Sequence, residues 1–305
     1  MNKSNQPSSQ LTGIGFLLTA TLFYGFFGVL SRLIGFELPL YFQTGVRALL
    51  VASVLVVFIL LRKEWKPVGK TDLFWIAIRG IFGMLALLAF FVSVNFLPIG
   101  TVYFIFYAGS TVGGYIIGRV LFAEKLTAIK IWSLVLSIFG LYLIYSVAID
   151  PTQTVYALLA LFSGFSGSIW NTLPKKISHG YSATTLTFLD NAIGAAITLV
   201  VSLLIREQWV TLAFTSVWLF NGILGALFIV TGWLVVNGFR RLDAQIGSLV
   251  MLAEVLFATL LGFLFYQETI APLTVVGGLV ILFAIILPER KALLTLIKRK
   301  TSQAK

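Results

Sequence analysis

Two ten-residue stretches decide how this chain is read: GRVLFAEKLT at 118–127 and GFLFYQETIA at 262–271. In each, a glycine near the end of a long apolar run is followed six residues later by a glutamate, after which a new apolar run begins. Both the glycine and the glutamate recur at an offset of 144 residues, and Phe139 then meets Phe283. A glycine and a glutamate at fixed spacing recur often by chance. The match gains weight because each stretch closes the fourth apolar block of its own half of the chain, as a duplicated unit requires.

Working outward, the blocks can be counted against the bilayer. A hydrocarbon core about 30 Å thick needs about 20 apolar residues per helix. Blocks of that kind run over 11–31, 40–61, 72–96, 99–121, 128–147, 153–171, 182–205, 214–237, 244–266 and 271–288. Asn95 to Gly100, with Pro98, supplies a tight reversal between the third and fourth, and Gln267 to Pro272 does so between the ninth and tenth. Five blocks per half is an odd number, so the second half enters the membrane in the opposite sense to the first. Inverted repeats of this kind let two similar halves exchange inward-open and outward-open shapes.

Charge supports the count. With the N-terminus inside, the inner segments hold Lys3, the group Arg62 to Lys70, Arg119 to Lys130, Lys175, Lys176, Arg240, Arg241 and the tail from Arg290 to Lys305. These make eighteen of the 22 Lys and Arg, against Arg32 and Arg206 outside and Arg47 and Arg79 within spans. Such a positive-inside bias disappears if one span is added or lost. The reading is therefore an all-α polytopic membrane protein with ten transmembrane helices in two inverted five-helix repeats and both termini cytoplasmic. Residues 1–10 form a polar tail, 11–149 and 150–288 the repeats, and 289–305 a basic tail. Because the apolar block from Leu11 runs on as a full span, it reads as a retained first helix rather than a removed leader.

Composition agrees. Of 305 residues 59% are hydrophobic and 11% charged, and the mean hydropathy is +0.99. Soluble domains run to about 45–50% apolar and about 25% charged. The net charge of +11 lies between apolar blocks rather than on one polar surface, which speaks for a lipid bilayer and against nucleic acid. No cysteine and a single histidine, His179, leave no thiolate chemistry and no metal cluster. No phosphate loop, nucleophile elbow or zinc motif occurs, so no cofactor and no catalytic set is expected.

The paired Gly–Glu helix ends, the ten blocks and the five-plus-five arrangement resemble the drug/metabolite transporter superfamily, its EamA-type exporters in particular, over about 11–288. Arg47 matches a common family position. Members often carry a proline about thirteen residues before each of those glutamates; here Thr111 and Val255 stand there, while Glu254 keeps the acidic residue that often precedes it. The resemblance implies a central aqueous cavity between the halves and transport of amino acids or similar metabolites.

Ionisable groups at membrane depth are costly and therefore functional candidates. Glu254, near the middle of the ninth span, is a substrate-amine partner or proton-binding group. Asp190 in the seventh span stands between a cavity role and a hydrogen-bonded network. Arg79 in the third and Arg47 in the second have the chemistry to bind a substrate carboxylate bidentately or to snorkel. Tyr103, Tyr107, Ser110 and Gly114 share one face of the fourth helix, as Thr21, Tyr24, Gly28 and Ser31 share one of the first. Ser163, Ser166, Trp170 and Asn171 cluster on the sixth, and Trp233 and Asn237 fall four apart on the eighth. Such stripes serve helix packing at least as often as binding; where they face a cavity, their rings hold an ammonium by cation–π contact. Glu124 and Glu268 read as caps of helix ends. Gly109-x3-Gly113 and Gly114-x3-Gly118 are close-packing spacings, compatible with a monomer or a weak dimer.

The expected function is secondary transport by alternating access: export of amino acids or related amphipathic solutes across the inner cell membrane, with protons a candidate coupling ion. Nucleoside-like metabolites and drug-like cations are alternative substrates. Other classes are an intramembrane lipid-processing enzyme, which would want clustered His, Asp or Cys, and a passive channel, which would want a repeated pore ring.

Overall fold

A computed structural model describes residues 7–34, 37–97, 99–145, 151–177, 180–211 and 215–303, the side chains of 7, 8 and 289–303 excepted. Pro98, Lys3 and His179 lie outside the described residues, as do the side chains of the basic tail. Among the described residues every regular element is helical. The helices are α1 (Pro7–Ile34), α2 (Leu40–Leu61), α3 (Lys70–Phe96), α4 (Ile99–Phe122), α5 (Ala128–Tyr145), α6 (Thr154–Thr172), α7 (Ala183–Leu204), α8 (Ser216–Phe239), α9 (Ala244–Met251), α10 (Ala253–Tyr266) and α11 (Pro272–Gln303). Among the described residues eight spans are long and apolar enough to cross a membrane, α9 and α10 counting as one. The helix at 154–172 and the apolar stretch Pro272–Pro288 fill the two remaining blocks.

Two elements depart from the sequence expectation. The block 244–266 is not one helix: Leu252 breaks it, with its N–H on the Leu249 carbonyl and its own carbonyl taking the Val255 N–H, both at 3.1 Å. One turn is tightened to i→i−3 bonding without a proline. The last helix also runs on past Pro288 to Gln303, so the backbone of the expected tail is largely helical.

The packing carries the duplication. Exchange α1 with α6, α2 with α7, α3 with α8, α4 with α9 plus α10, and α5 with α11, and the main contacts map onto one another. The pair α4–α6 becomes α1 with α9 and α10, α3–α6 becomes α1–α8, and α3–α7 becomes α2–α8; α2–α7 and α5–α11 map onto themselves. Most of the strong contacts therefore join one half to the other, and neither half has a complete core alone.

Small residues allow these approaches. A Cβ on Gly140 would sit 2.7 Å from Ile281 and 2.8 Å from the Gly277 carbonyl, and one on Gly277 would sit 2.6 Å from the Gly140 carbonyl. The α5–α11 crossing is thus backbone on backbone. Gly277→Leu is expected to force these helices apart and lower stability by about 1–3 kcal/mol, read as a drop in the detergent melting temperature. Gly15→Ala, at a position with nothing within 4 Å, should leave it unchanged.

Candidate functional site

A recurring helix ending sets the ends of the site. Among the described residues, the non-glycine residues with positive φ are Lys63, Ala123, Arg206 and Gln267, and each is followed by a glutamate. In all four the glutamate N–H folds back onto the preceding helix: Glu64 onto Ile59, Glu124 onto Gly118, Glu207 onto Ser202 and Glu268 onto Gly262. These are left-handed C-caps. A Cβ on Gly118 would meet the Glu124 carboxylate, and one on Gly262 that of Glu268. The Gly-x5-Glu pattern is thus a turn in which the acid lies over the glycine.

What the carboxylates then do differs. Glu124 is buried and reaches the other half, accepting the Ala244 N–H at 2.7 Å and the Gln245 N–H at 3.2 Å, with Lys175 Nζ at 2.5 Å. It caps α9 from outside, because Asp243 at the N-cap position spends its own carboxylate on Lys130 at 2.8 Å. Glu207 caps α2 in the same manner through the N–H groups of Tyr41 and Phe42, at 3.1 and 2.7 Å. Glu268 instead pairs with Arg32 of α1, and one oxygen of Glu64 is buried without a hydrogen bond. Both glutamates thus close the end of their own helix through the backbone, while only the Glu124 carboxylate also caps a helix start and that of Glu268 meets a cation alone.

The helix break lies where α4 and the α9–α10 span part. Towards the Glu124 end α4 packs on α9: a Cβ on Gly114 would sit 2.6 Å from Ser248 Cβ, and one on Gly118 3.0 Å from Gln245 Cγ. Beyond Leu252, α10 leans on α1 instead, where a Cβ on Gly25 would be 3.1 Å from the Ala258 nitrogen, and it makes no comparable contact with α4 among the described residues. The seam is closed at one end and split at the other. Gly109 and Gly113 face α6, at Leu161 and Ser168, so both small-residue spacings serve packing within the chain.

Glu254 stands in the first turn of α10, at the point of divergence. It faces the Tyr107 hydroxyl on α4, and Tyr103, Tyr145 and Tyr24 are close enough to feel its charge. Tyr103 is near-parallel to both Tyr107 and Tyr145, with ring centroids 6.0 and 6.5 Å apart. A second charged group also lies near Tyr24. Arg79, only 1% exposed, is ion-paired to Asp190; its Nε donates to the Trp170 carbonyl at 3.0 Å and its guanidinium lies 5.5 Å from the Trp170 ring. The Tyr24 hydroxyl is buried without a hydrogen bond, and so are Asp190 Oδ1, Asn171 Oδ1 and Ser166 Oγ. Two of these orphan atoms, Asp190 Oδ1 and Asn171 Oδ1, are acceptors only, and buried acceptors without donors are costly.

The expected residues therefore fall into three places. Glu254, Tyr107, Tyr103, Tyr24, Arg79, Asp190 and Trp170 come together, with Asn171 next to Trp170 and the partly buried Ser110 on the Tyr107 helix. Arg47 lies apart, between α2 and α8, donating to Asn221 at 2.9 Å and sitting 5.1 Å from the Phe228 ring. Phe228 touches Phe27, which touches Tyr24 at 4.9 Å. Trp233 and Asn237 form a separate group with Phe16 and Arg241: Arg241 donates to Asn237 Oδ1 at 3.0 Å, and Trp233 is 42% exposed. Tyr145 and Thr231, beside Glu254 and Tyr24 respectively, were not read from the sequence; a tyrosine ending one apolar run and a threonine inside another resemble belt and packing residues.

A family model described as the EamA-like transporter family matches the chain twice, over residues 11–146 and 154–288. No curated protein matches it. Among solved structures, one crystal structure superposes with a TM-score of 0.77 at 16% identity, covering 92% of this chain and 97% of the other; at that identity the likeness is one of fold.

Proposed function

The chain belongs to the EamA-like transporter family, and from that premise we propose that it is a secondary carrier which moves amino acids or related amphipathic amines by alternating access. Its membership makes it a multi-pass membrane protein with a transporter fold. The finer reading has ten spans, two inverted repeats within 11–149 and 150–288, and both termini in the cytoplasm of an inner cell membrane. On that orientation the Glu124 end is cytoplasmic, in line with the placement of the basic residues. The observation that carries the reading is the seam that is closed at Glu124 and split from Glu254 onward.

In this scheme the substrate ammonium approaches Glu254 between the Tyr107, Tyr103 and Tyr24 rings, where an acid and aromatic faces both favour a cation. Arg79 has its charge met by Asp190, and Arg47, whose side-chain partners are Asn221, Thr44 and Phe228, is a separate station for a substrate carboxylate, set off from Tyr24 by the Phe228 and Phe27 rings. A proton on Glu254 competes with an ammonium for the same oxygens, so proton coupling needs no further group. Trp233 and Asn237 stand outside this path.

Radiolabelled amino-acid uptake into proteoliposomes tests this directly. Saturable uptake that rises when the same unlabelled amino acid is preloaded inside is expected. Uptake of drug-like cations or nucleosides alone would replace the substrate class, and linear, unsaturable flux would replace the carrier by a channel.

A further inference from the structure

Glu124 and Glu268 occupy equivalent positions 144 residues apart, on the same left-handed turn and over the same glycine, yet only one caps a helix of the other half. The span formed by α9 and α10 runs antiparallel to α4, since the end of α4 meets the start of α9. Glu268 therefore lies at the opposite end of the same seam. Its target by the internal symmetry is fixed: Ala244 and Gln245, whose N–H groups Glu124 accepts, correspond at the same offset to Gly100 and Thr101 in the first turn of α4. Among the described residues Glu268 bonds Arg32 instead, in a pair whose side chains are 57% and 45% exposed.

Further differences between the ends run with this one. At the Glu124 end two ion pairs join the halves, Glu124–Lys175 and Lys130–Asp243; at the Glu268 end, among the described residues, the one such pair is Glu268–Arg32, the counterpart of Glu124–Lys175. Inside the closed end, Gln245 is fully buried and neither side-chain amide atom has a hydrogen-bond partner. A buried unsatisfied amide penalises the closed seam, so this end is held shut by the cap and the two ion pairs against a local cost.

We propose that Glu124 and Glu268 are alternating latches of a single gate, each closing one end of the α4–α9–α10 seam by capping the first turn of the helix opposite. In the present state Glu124 caps α9 and Glu268 is parked on Arg32. In the opposite state Glu268 caps α4 through Gly100 and Thr101, while Glu124 leaves α9 and keeps only Lys175, as Glu268 now keeps only Arg32. A charge-assisted cap is strong enough to set such an equilibrium, because each N–H it satisfies otherwise ends a helix unpaired. The inference rests on the alternating-access reading above, but its test needs no substrate.

The chain lacks cysteine, so single reporters can be placed at Ser248→Cys on the closed half of the seam and at its symmetry image, Phe104→Cys. Alkylation rates with a water-soluble maleimide, on detergent-solubilised full-length protein, give the ratio of the two accessibilities. Glu124→Gln is expected to raise Ser248→Cys labelling and lower that of Phe104→Cys, shifting the ratio about tenfold, equivalent to about 1.4 kcal/mol. Glu268→Gln is expected to shift it the other way, and the double variant to return it close to the parent. Equal melting temperatures of the variants separate this from unfolding, and Glu124→Asp and Glu268→Asp offer milder versions. Shifts in the same direction, or no shift in either single variant, would overturn the latch. Failure of amino-acid counterflow with the latch intact would instead discard the substrate proposal.

Discussion

Arg79→Met is expected to cost about 3–5 kcal/mol of stability, because it leaves a buried charge without its partner. Arg79 is almost fully enclosed, and its ion pair with Asp190 ties α3 to α7 while its Nε holds the last turn of α6. Asp190 already has one oxygen without a hydrogen bond, so removal of the guanidinium strips it of its compensation. Asp190→Leu alone should cost a similar amount by exposing the converse charge. The double variant Arg79→Met with Asp190→Leu should recover most of the loss, since apolar replacement of a whole buried pair is often neutral or stabilising. Fluorescence-detected melting in detergent reads all three, and additive losses in the double variant would show that the two charges do not depend on each other.

The second large effect is on transport. Glu254→Gln keeps the size of the side chain that faces the Tyr107 hydroxyl but removes the charge. If Glu254 holds the substrate ammonium, the loss of a charge-assisted contact worth about 1.5–3 kcal/mol reduces uptake about 10- to 100-fold while the protein still folds and inserts. The same change removes the competing proton site, so any dependence of uptake on pH should disappear with it. Arg79 variants give the opposite signature, with low yield and an unchanged pH profile in what survives. Uptake and pH profile both unchanged in Glu254→Gln would remove Glu254 from the site.

Much of this was legible in the chain. Apolar block length and the spacing of basic residues locate each helix, because bilayer thickness fixes one and insertion biases the other. The duplicated Gly-x5-Glu marks the helix ends for a steric reason visible only in the structure: the acid lies over the glycine. Glu254, Asp190 and Arg79 were legible since charges at membrane depth need partners. What the pattern did not reveal was pairing. Nothing along the sequence says that Arg79 is spent on Asp190 while Arg47 meets only neutral groups, or that Trp233 and Asn237 turn away from Glu254 to meet Phe16 and Arg241. The break at Leu252 carries no proline or glycine of its own, and it follows from α9 and α10 packing on different helices. The remaining two turns of the left-handed type, Lys63–Glu64 and Arg206–Glu207, do not share the 144-residue offset of the other pair, their halves differing by one residue.

In the proposed transport cycle the seam is closed at one end at a time. Spin-label distances test it most directly, with one pair at Ile99→Cys and Leu264→Cys across the split end and another at Lys125→Cys and Lys176→Cys across the sealed end. Measured in lipid nanodiscs with and without a mixture of amino acids, two distance populations are expected at each pair that change in opposite senses, the first shortening as the second lengthens. Distances that stay fixed at both ends, or that shorten together, would contradict it.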